Sequence, residues 1–315
     1  MGKLDLKSKK FLITGGSGFL GSFIVDKLLE RGVYKRDIVV PRSKDSDLRV
    51  WDNCVKSVTG VDVVIHLAAK VGGIGFNMKY PADLFYDNAI MGIQILEAAR
   101  LAGVTKFVGI GTVCSYPKYS PTPFKEDNLW DGYPEETNSP YGIAKKILLV
   151  QEQSYRLQHG FESIYLMPVN LYGPRDHFNP EYSHVIPALI MKFVQAKINN
   201  DKSVTVWGTG AVSREFLYVE DAAEGILMAT EKYDKPDPVN LGTSEEILIK
   251  DLVNLIKNKV GFKGKVIWDT SKPDGQPKRK LDTSRAVKEF GFKANTGLDE
   301  GLDKTIDWYL KSINK

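Results

Sequence analysis

A parallel α/β sheet wound in both directions and covered by helices, followed by a smaller α/β lobe, is the fold class this sequence predicts. Three observations carry the prediction. Short apolar runs alternate with amphipathic stretches through the first half of the 315 residues. Several of those runs are apolar on both faces, as strands buried on both sides must be. A glycine-spaced turn sits between the first run and the first amphipathic stretch, where such sheets bind nucleotides.

In chain order, FLIT (11–14) is the first strand, and a helix runs from about Phe19 to Arg31 and closes at Gly32. DIVV (37–40) and VDVVIHLAA (61–69) are the next strands. A helix from Pro81 to Leu101 ends just before Gly103, and the strand KFVGIGT (106–112) follows. A helix from Pro140 to about Gln158 and the strand SIYLMPV (163–169) complete the regular alternation. Beyond residue 170 loops rich in Pro, Asn and Gly intervene. They separate a helix over Ile186–Ile198, a strand and turn at SVTVWGTG (203–210), and helices near 249–259 and 298–312. The expected division is a dinucleotide-binding domain over 1–170, with a return segment near 215–240. Residues 171–315 then form mainly a substrate lobe over the carboxyl edge of the sheet.

Composition narrows the class. A hydrophobic content of 43% and a charged content of 26% are those of an ordinary globular chain. A net charge of +4 with both signs interspersed does not point to nucleic acid, and it suits a phosphate-bearing small molecule. Two cysteines, Cys54 and Cys114, cannot build a disulfide framework, so a reducing compartment, the cytoplasm, is expected. The opening MGKLDLKSKK lacks the apolar stretch of a signal peptide, and Leu6 breaks a myristoylation pattern. No run reaches the roughly 18 apolar residues of a membrane span, and no His, Cys or carboxylate spacing suggests a metal.

In ITGGSGFLGSFIVDKLLERG, Gly15, Gly18 and Gly21 lie between strand and helix. Glycines there let the chain turn tightly and bring backbone amides against a pyrophosphate at the helix N-terminus. After the second strand come Pro41, Arg42, Ser43 and Lys44, with no acid before Asp45. An acid would hold a free ribose diol, whereas a base holds a 2′-phosphate, so NADP is expected over NAD, with Arg42 as the phosphate partner. A solvated basic loop is the alternative reading of the same residues. Asp47 and Leu48 fall near the adenine.

The stretch NSPYGIAKK places Tyr141 and Lys145 one turn apart on a helix face. An ammonium there is expected to lower the phenol's pKa for proton exchange. Thr112, at the end of the KFVGIGT strand, adds a hydroxyl at the same sheet edge. Together with the glycine loop, these three residues point to proton transfer coupled to hydride transfer. On the residues alone, Cys114 reads as a buried small side chain rather than a catalyst, and His184 reads as a helix cap as readily as a catalyst.

Longer stretches carry a resemblance. AAKVGGIGFNMKYPADLFYDN (68–88), CSYPK (114–118), EETNSPYGIAK (135–145), MPVNLYGPRDHFNPEYSHVIPAL (167–189), VWGTGAVSREFLYVEDAA (206–223) and KPDGQPKRKLD (272–282) resemble the extended short-chain dehydrogenase/reductases acting on nucleotide sugars. Within them the match is to the GDP-L-fucose synthases, GDP-4-keto-6-deoxymannose 3,5-epimerase/reductases. The resemblance implies a Rossmann-type fold, NADP(H), a GDP-linked 4-keto-6-deoxy sugar, and a homodimer formed through the helices near 83–101 and 141–158. It implies Cys114 as base and His184 as acid in epimerisation, and Tyr141 as proton donor in reduction. Lys145 would assist Tyr141, and Thr112 would bind the carbonyl oxygen. Cofactor contacts are implied for Gly15, Gly18, Phe19, Leu20, Gly21, Arg42, Leu67, Ala68, Ala69, Tyr141, Lys145, Pro168, Asn170, Leu171 and His184. Substrate contacts are implied for Asn170, Val185, Lys192, Trp207, Arg214 and Arg279, with Arg214 suited to grip a diphosphate bidentately.

Four positions depart from the family pattern: Thr112 and Val113 replace serines, Lys192 replaces an arginine, and Ser17 replaces a base that assists the 2′-phosphate. Related enzymes that reduce dideoxy or heptose sugars, epimerise one centre, or epimerise without net redox change share most of these residues. Cys54, in WDNCVKSV, has no such context and reads as structural.

Overall fold

The computed structural model describes residues 4–179 and 183–313; residues 180–182 of the quoted motifs lie outside it. The first half contains β1 (Phe11–Thr14), α1 (Phe19–Glu30), β2 (Ile38–Val39), α2 (Trp51–Val58) and β3 (Val63–His66). Then come α3 (Ile74–Lys79), α4 (Pro81–Leu101), β4 (Lys106–Ile110), α5 (Ser139–His159) and β5 (Ser163–Pro168). Every residue of β1, β3, β4 and β5 is buried, while the edge strand β2 is half-buried. Helix ends follow local chemistry. Both α4 and α5 carry proline in the first turn, where its missing N–H leaves no bond unmade, and α5 stops at Gly160 in the left-handed region.

The second half comprises β6 (Asn170–Tyr172), α6 (Val185–Ile198), β7 (Ser203–Trp207), β8 (Ser213–Arg214) and β9 (Phe216–Tyr218). After these come α7 (Val219–Lys232), β10 (Val239–Leu241), β11 (Ile247–Leu248), α8 (Ile249–Val260), β12 (Lys265–Asp269), α9 (Ser284–Phe290) and α10 (Leu298–Ile313). Six strands form one sheet in the order β10-β5-β4-β3-β1-β2, and every pairing in it is parallel. The winding direction reverses between β1 and β3, so a crevice opens at their carboxyl ends, beside the paired residues Thr14 and His66. Two-stranded ribbons β6–β9, β8–β11 and β7–β12 frame the far side.

Two apolar cores result. One gathers the sheet, α1 and α7. The other joins Ile190 and Phe193 of α6, Val204 and Val206 of β7, Leu252 and Ile256 of α8, and Leu302 of α10. The expected strand 61–69 is shorter, because Leu67 and Ala68 leave the sheet to donate their amides to the Thr14 hydroxyl. Two helices have weak sequence signals. The eight-residue α2 is short, and α7 buries small residues (Ala222, Ala223, Gly225, Ala229) beside Val219, Ile226 and Leu227, which dilutes its apolar periodicity. Among the described residues no helix is long and apolar enough to cross a membrane.

Candidate active site

A cleft of about 1140 Å³ runs from the carboxyl ends of β1, β3, β4 and β5 across to α6, β7 and the 273–279 loop. Every site residue named from the sequence lines it except Arg42.

At the nucleotide end the glycines are sterically required. A Cβ on Gly21 would lie 2.2 Å from the Gly15 carbonyl oxygen, and Gly15, at φ 70°, would press one to 2.9 Å from the Ala68 amide nitrogen. Gly18 occupies the cap position of α1, so the turn presents helix N-terminal amides to the cleft. Thr14 and His66 share a hydrogen bond of 2.8 Å under this floor. Burial, with Lys145 nearby, pushes His66 down to about 3, so it is a neutral structural group. Beyond β2, the amides of Asp45 and Ser46 bond back to the Arg42 carbonyl. The resulting turn leaves Arg42 exposed and off the cleft, with Ser43 and Lys44 facing it. Arg49 also lines the cleft but is engaged by Asp47 and Asp87 at 2.7 and 3.0 Å. Lys44 is therefore the basic side chain at this end without a close carboxylate bond, its nearest ion pair being Asp45 at 3.9 Å.

At the centre, α5 carries Tyr141 and Lys145, with the ammonium nitrogen 6.0 Å from the phenol ring centroid. The expected lowering of the phenol does not occur. Burial, with Cys114 as a second, electrostatic cause, pushes Tyr141 above its ordinary value. Tyr141 is accordingly a full proton donor at neutral pH, as reduction of a carbonyl requires. Lys145 is itself pushed down to about 8 by burial, opposed by Glu152. The Tyr165 hydroxyl donates to the Lys145 carbonyl at 2.8 Å and ties α5 to β5.

Residues 113–115 are one turn of 3₁₀ helix rather than an extended segment, and Thr112 caps it by accepting the Cys114 amide at 3.2 Å. That bond uses a lone pair and leaves the Thr112 O–H free to donate into the cleft. His184 stands at the cap position of α6, yet its side chain makes no capping bond and lines the cleft instead. Burial first, then the nearby His177 and Arg279, holds it below the usual histidine value.

At the far end, Arg214 and Arg279 are 9% and 7% exposed, and among the described residues neither pairs with a carboxylate. Arg214 donates to the Ser213 and Asp274 carbonyls at 2.7 and 2.9 Å. Arg279 donates to Gln276 Oε1 at 3.2 Å and Asn170 Oδ1 at 3.1 Å. Burial and the neighbouring Arg279 push Arg214 down to about 9. Two buried guanidiniums that, among the described residues, bond to neutral acceptors are chemically suited to an anion. Lys192 donates to the Thr205 carbonyl, and Trp207 is half exposed with the Lys272 ammonium 5.3 Å from its ring.

Sequence reading passed over Lys44 in favour of Arg42, and it passed over Asn138, Asp274 and Gln276, which also line the cleft. The TN before Ser-Pro-Tyr was the available signal for Asn138. The 274–276 loop reaches the site only through tertiary bonds, such as Gln276 Nε2 to the Pro117 carbonyl.

Comparison with known proteins agrees with this geometry. The model of the NAD dependent epimerase/dehydratase family matches residues 11–242. GDP-L-fucose synthase 1 of Arabidopsis thaliana is 41% identical over 311 residues, covering 98% of this chain and 95% of that protein. The crystal structure of a GDP-6-OMe-4-keto-L-xylo-heptose reductase from C. jejuni superposes with a TM-score of 0.91 at 27% identity, covering 99% of this chain and 100% of that one. A GDP-L-fucose synthetase from Naegleria fowleri bound to NADP gives 0.86 at 29%, covering 99% and 97%. With its glycine cradle at the β1–α1 turn and Tyr141 and Lys145 one helical turn apart in the same cleft, the chain belongs to the NAD dependent epimerase/dehydratase family.

Proposed function

We propose that this chain is an NADP-dependent epimerase/reductase that converts GDP-4-keto-6-deoxymannose to GDP-L-fucose. The observation that carries the reading is a convergence. One cleft holds the reducing group (Thr112, Tyr141, Lys145), a thiol and an imidazole (Cys114, His184), and two buried arginines that form no carboxylate ion pair among the described residues. The relatives described above support the substrate.

A ketone at sugar carbon 4 acidifies the hydrogens on carbons 3 and 5. Cys114, as thiolate, removes one of these protons; the C–H electron pair forms a C=C bond and the carbonyl pair moves onto oxygen. His184, which takes up a proton from solvent for this step, then delivers it to the same carbon from the other face, and the carbonyl re-forms with that centre inverted. Solvent resets both groups, and the same pair of transfers inverts the second carbon. The bound cofactor supplies hydride to carbon 4. Tyr141 gives its phenolic proton to the oxygen as the alcohol forms, and Thr112 donates a hydrogen bond to that oxygen. Lys145 balances charge at Tyr141 and holds the nicotinamide ribose.

The glycine cradle would hold the pyrophosphate of NADP, Pro168, Asn170 and Leu171 would lie at the nicotinamide end, and Lys44 would take the 2′-phosphate ahead of Arg42. Arg214 and Arg279 grip the diphosphate, with Val185, Lys192 and Trp207 around the base and ribose. Residues 1–170 act mainly as the cofactor domain, and 171–315 mainly as the substrate lobe. A homodimer through α4 and α5 accounts for Phe85, Tyr86, Ile93, Val150 and Leu157, all exposed on those helices. Both cysteines are free, which suits the cytoplasm.

The likeness to the heptose reductase, with Thr112 and Val113 at the sugar, supports a second reading: a GDP-4-keto-sugar reductase with one or no epimerisation. The purified enzyme, GDP-4-keto-6-deoxymannose and NADPH in deuterated water decide between them by NMR of the product. Deuterium at carbons 3 and 5 with stoichiometric NADPH consumption supports the first reading. Reduction without label supports the second, and label without NADPH consumption leaves only an epimerase.

A further inference from the structure

We infer that Asn138 is a positioning residue for Cys114: its side-chain carbonyl holds the thiol in one rotamer, and Glu135 and Asn77 fix the amide that way round. The inference rests on the reading of Cys114 as the epimerisation base. The backbone at the thiol is pinned on both sides. Thr112 accepts the Cys114 amide, and Gly142 of α5 packs so closely that a Cβ there would lie 2.5 Å from the Cys114 carbonyl oxygen. The Ser115 hydroxyl closes the turn onto the Gly142 carbonyl at 2.9 Å. Rotation about Cα–Cβ is the freedom left to the sulfur, and among the described residues its one hydrogen-bond partner is Asn138 Oδ1, at 3.8 Å.

The amide cannot turn over. Its Nδ2 donates to Glu135 Oε2 at 2.5 Å, and an ionised carboxylate accepts only. Glu135 is itself fixed by the Thr137 hydroxyl at 2.6 Å. On the other side Asn77 Nδ2 donates to Asn138 Oδ1 at 3.1 Å. A flipped amide would set oxygen against carboxylate and nitrogen against nitrogen. All three of Asn77, Glu135 and Asn138 are under 9% exposed, so water does not relieve that clash. Oδ1 must therefore face the sulfur. A carbonyl oxygen accepts from S–H and repels a thiolate, so the contact sets the rotamer in which the sulfur meets the sugar while disfavouring its charged form; without it the thiol is more reactive but no longer placed. The charged and titratable groups facing the thiol from neighbouring elements are Tyr141 of α5 and Arg214 of β8, with Glu135 behind the amide.

The test is alkylation of Cys114 by iodoacetamide at fixed pH, alongside deuterium exchange at carbons 3 and 5, in the full-length enzyme. Cys54 is fully buried and donates to the Leu48 carbonyl, so it stays silent. Asn138→Ala is expected to raise alkylation by about threefold. It should slow exchange by roughly tenfold or more, because the thiol no longer rests in one geometry. The KM for the nucleotide sugar and the reduction of an already epimerised 4-keto sugar should stay within about twofold, which general damage to the fold would not spare. Glu135→Gln, which keeps the shape but lets the amide turn over, should fall between parent and Asn138→Ala, and it decides the matter if the alanine variant does not fold. Alkylation and an exchange-to-reduction ratio both equal to the parent's overturn the inference. Cys114→Ser separates the two claims. If that variant keeps exchange, the base reading fails while the alkylation comparison still judges the contact; if it loses exchange, a parent-like Asn138→Ala overturns the contact alone.

Discussion

Replacing Arg214 with methionine should make the protein more stable and its substrate affinity worse. The guanidinium is 9% exposed, sits beside Arg279, and is pushed down to about 9 by burial and that neighbour. Each pH unit of that fall is worth about 1.4 kcal/mol, so holding the charge at neutral pH costs the fold on the order of 5 kcal/mol. The sign follows from linkage. The folded state gives up this proton at lower pH than the unfolded chain, so the cost is full below about pH 9 and is relieved as pH rises above it. Methionine fills much of the volume and removes the charge. It also removes two hydrogen bonds from a charged donor to the Ser213 and Asp274 carbonyls, each worth about 1.5 kcal/mol. The balance is a gain of roughly 2 kcal/mol, or a few degrees in Tm for a chain of this size. Binding moves the other way. Two charge-assisted bonds to phosphate, at about 1.5–3 kcal/mol each, amount to a loss of roughly a hundredfold or more in affinity. Thermal unfolding without ligand and calorimetric titration with GDP read the two effects separately. A variant that melts lower than the parent while binding GDP equally well would refute the reasoning, since Arg214 would then be a structural residue.

Three other perturbations follow from the same geometry. Tyr141→Phe should cut reduction by about a thousandfold while deuterium still enters at carbons 3 and 5, because one proton donor is lost and the epimerising pair is untouched; equal loss of both activities contradicts that separation. Lys145 is held at about 8 by burial, so reduction should fall roughly tenfold per pH unit above that value as the ammonium is lost. Stability should instead rise from about pH 8 towards 10.5, because the unfolded chain keeps that proton longer; a reduction rate flat to pH 9.5 counts against the role. Lys44→Ser should lower the preference for NADPH over NADH by about tenfold, while Arg42→Ser, exposed and off the cleft, should leave it within about twofold; the reverse pattern in paired steady-state kinetics would restore Arg42.

Much of the architecture was legible because it rests on local rules. Apolar runs without alternation marked β1, β3, β4 and β5, and proline and glycine marked both ends of α4 and α5 to within a residue or two. Where the signal was weak, the reason is visible in the residues. The buried face of α7 mixes alanine and glycine with Val219, Ile226 and Leu227, and the small residues dilute its apolar signal. The spacing of Tyr141 and Lys145 was readable for the same reason as the helix that bears them. The direction of the phenol's shift was not, because burial depends on what covers α5, and here it outweighs the neighbouring ammonium.

Taken alone, then, the sequence determined the strand–helix alternation, the glycine turn and the residue types at the site, since each depends on neighbours within a few positions. Only the tertiary structure decided that Lys44 rather than Arg42 faces the cleft, because a turn closed on the Arg42 carbonyl points one outward and the other in. Only it showed that Arg214 and Arg279, sixty-five positions apart, are buried together with no carboxylate ion pair among the described residues, or that Asn77, Glu135 and Asn138 converge behind Cys114. Charge and hydrogen bonding act through space, and the distances that set them exist only once the chain has folded.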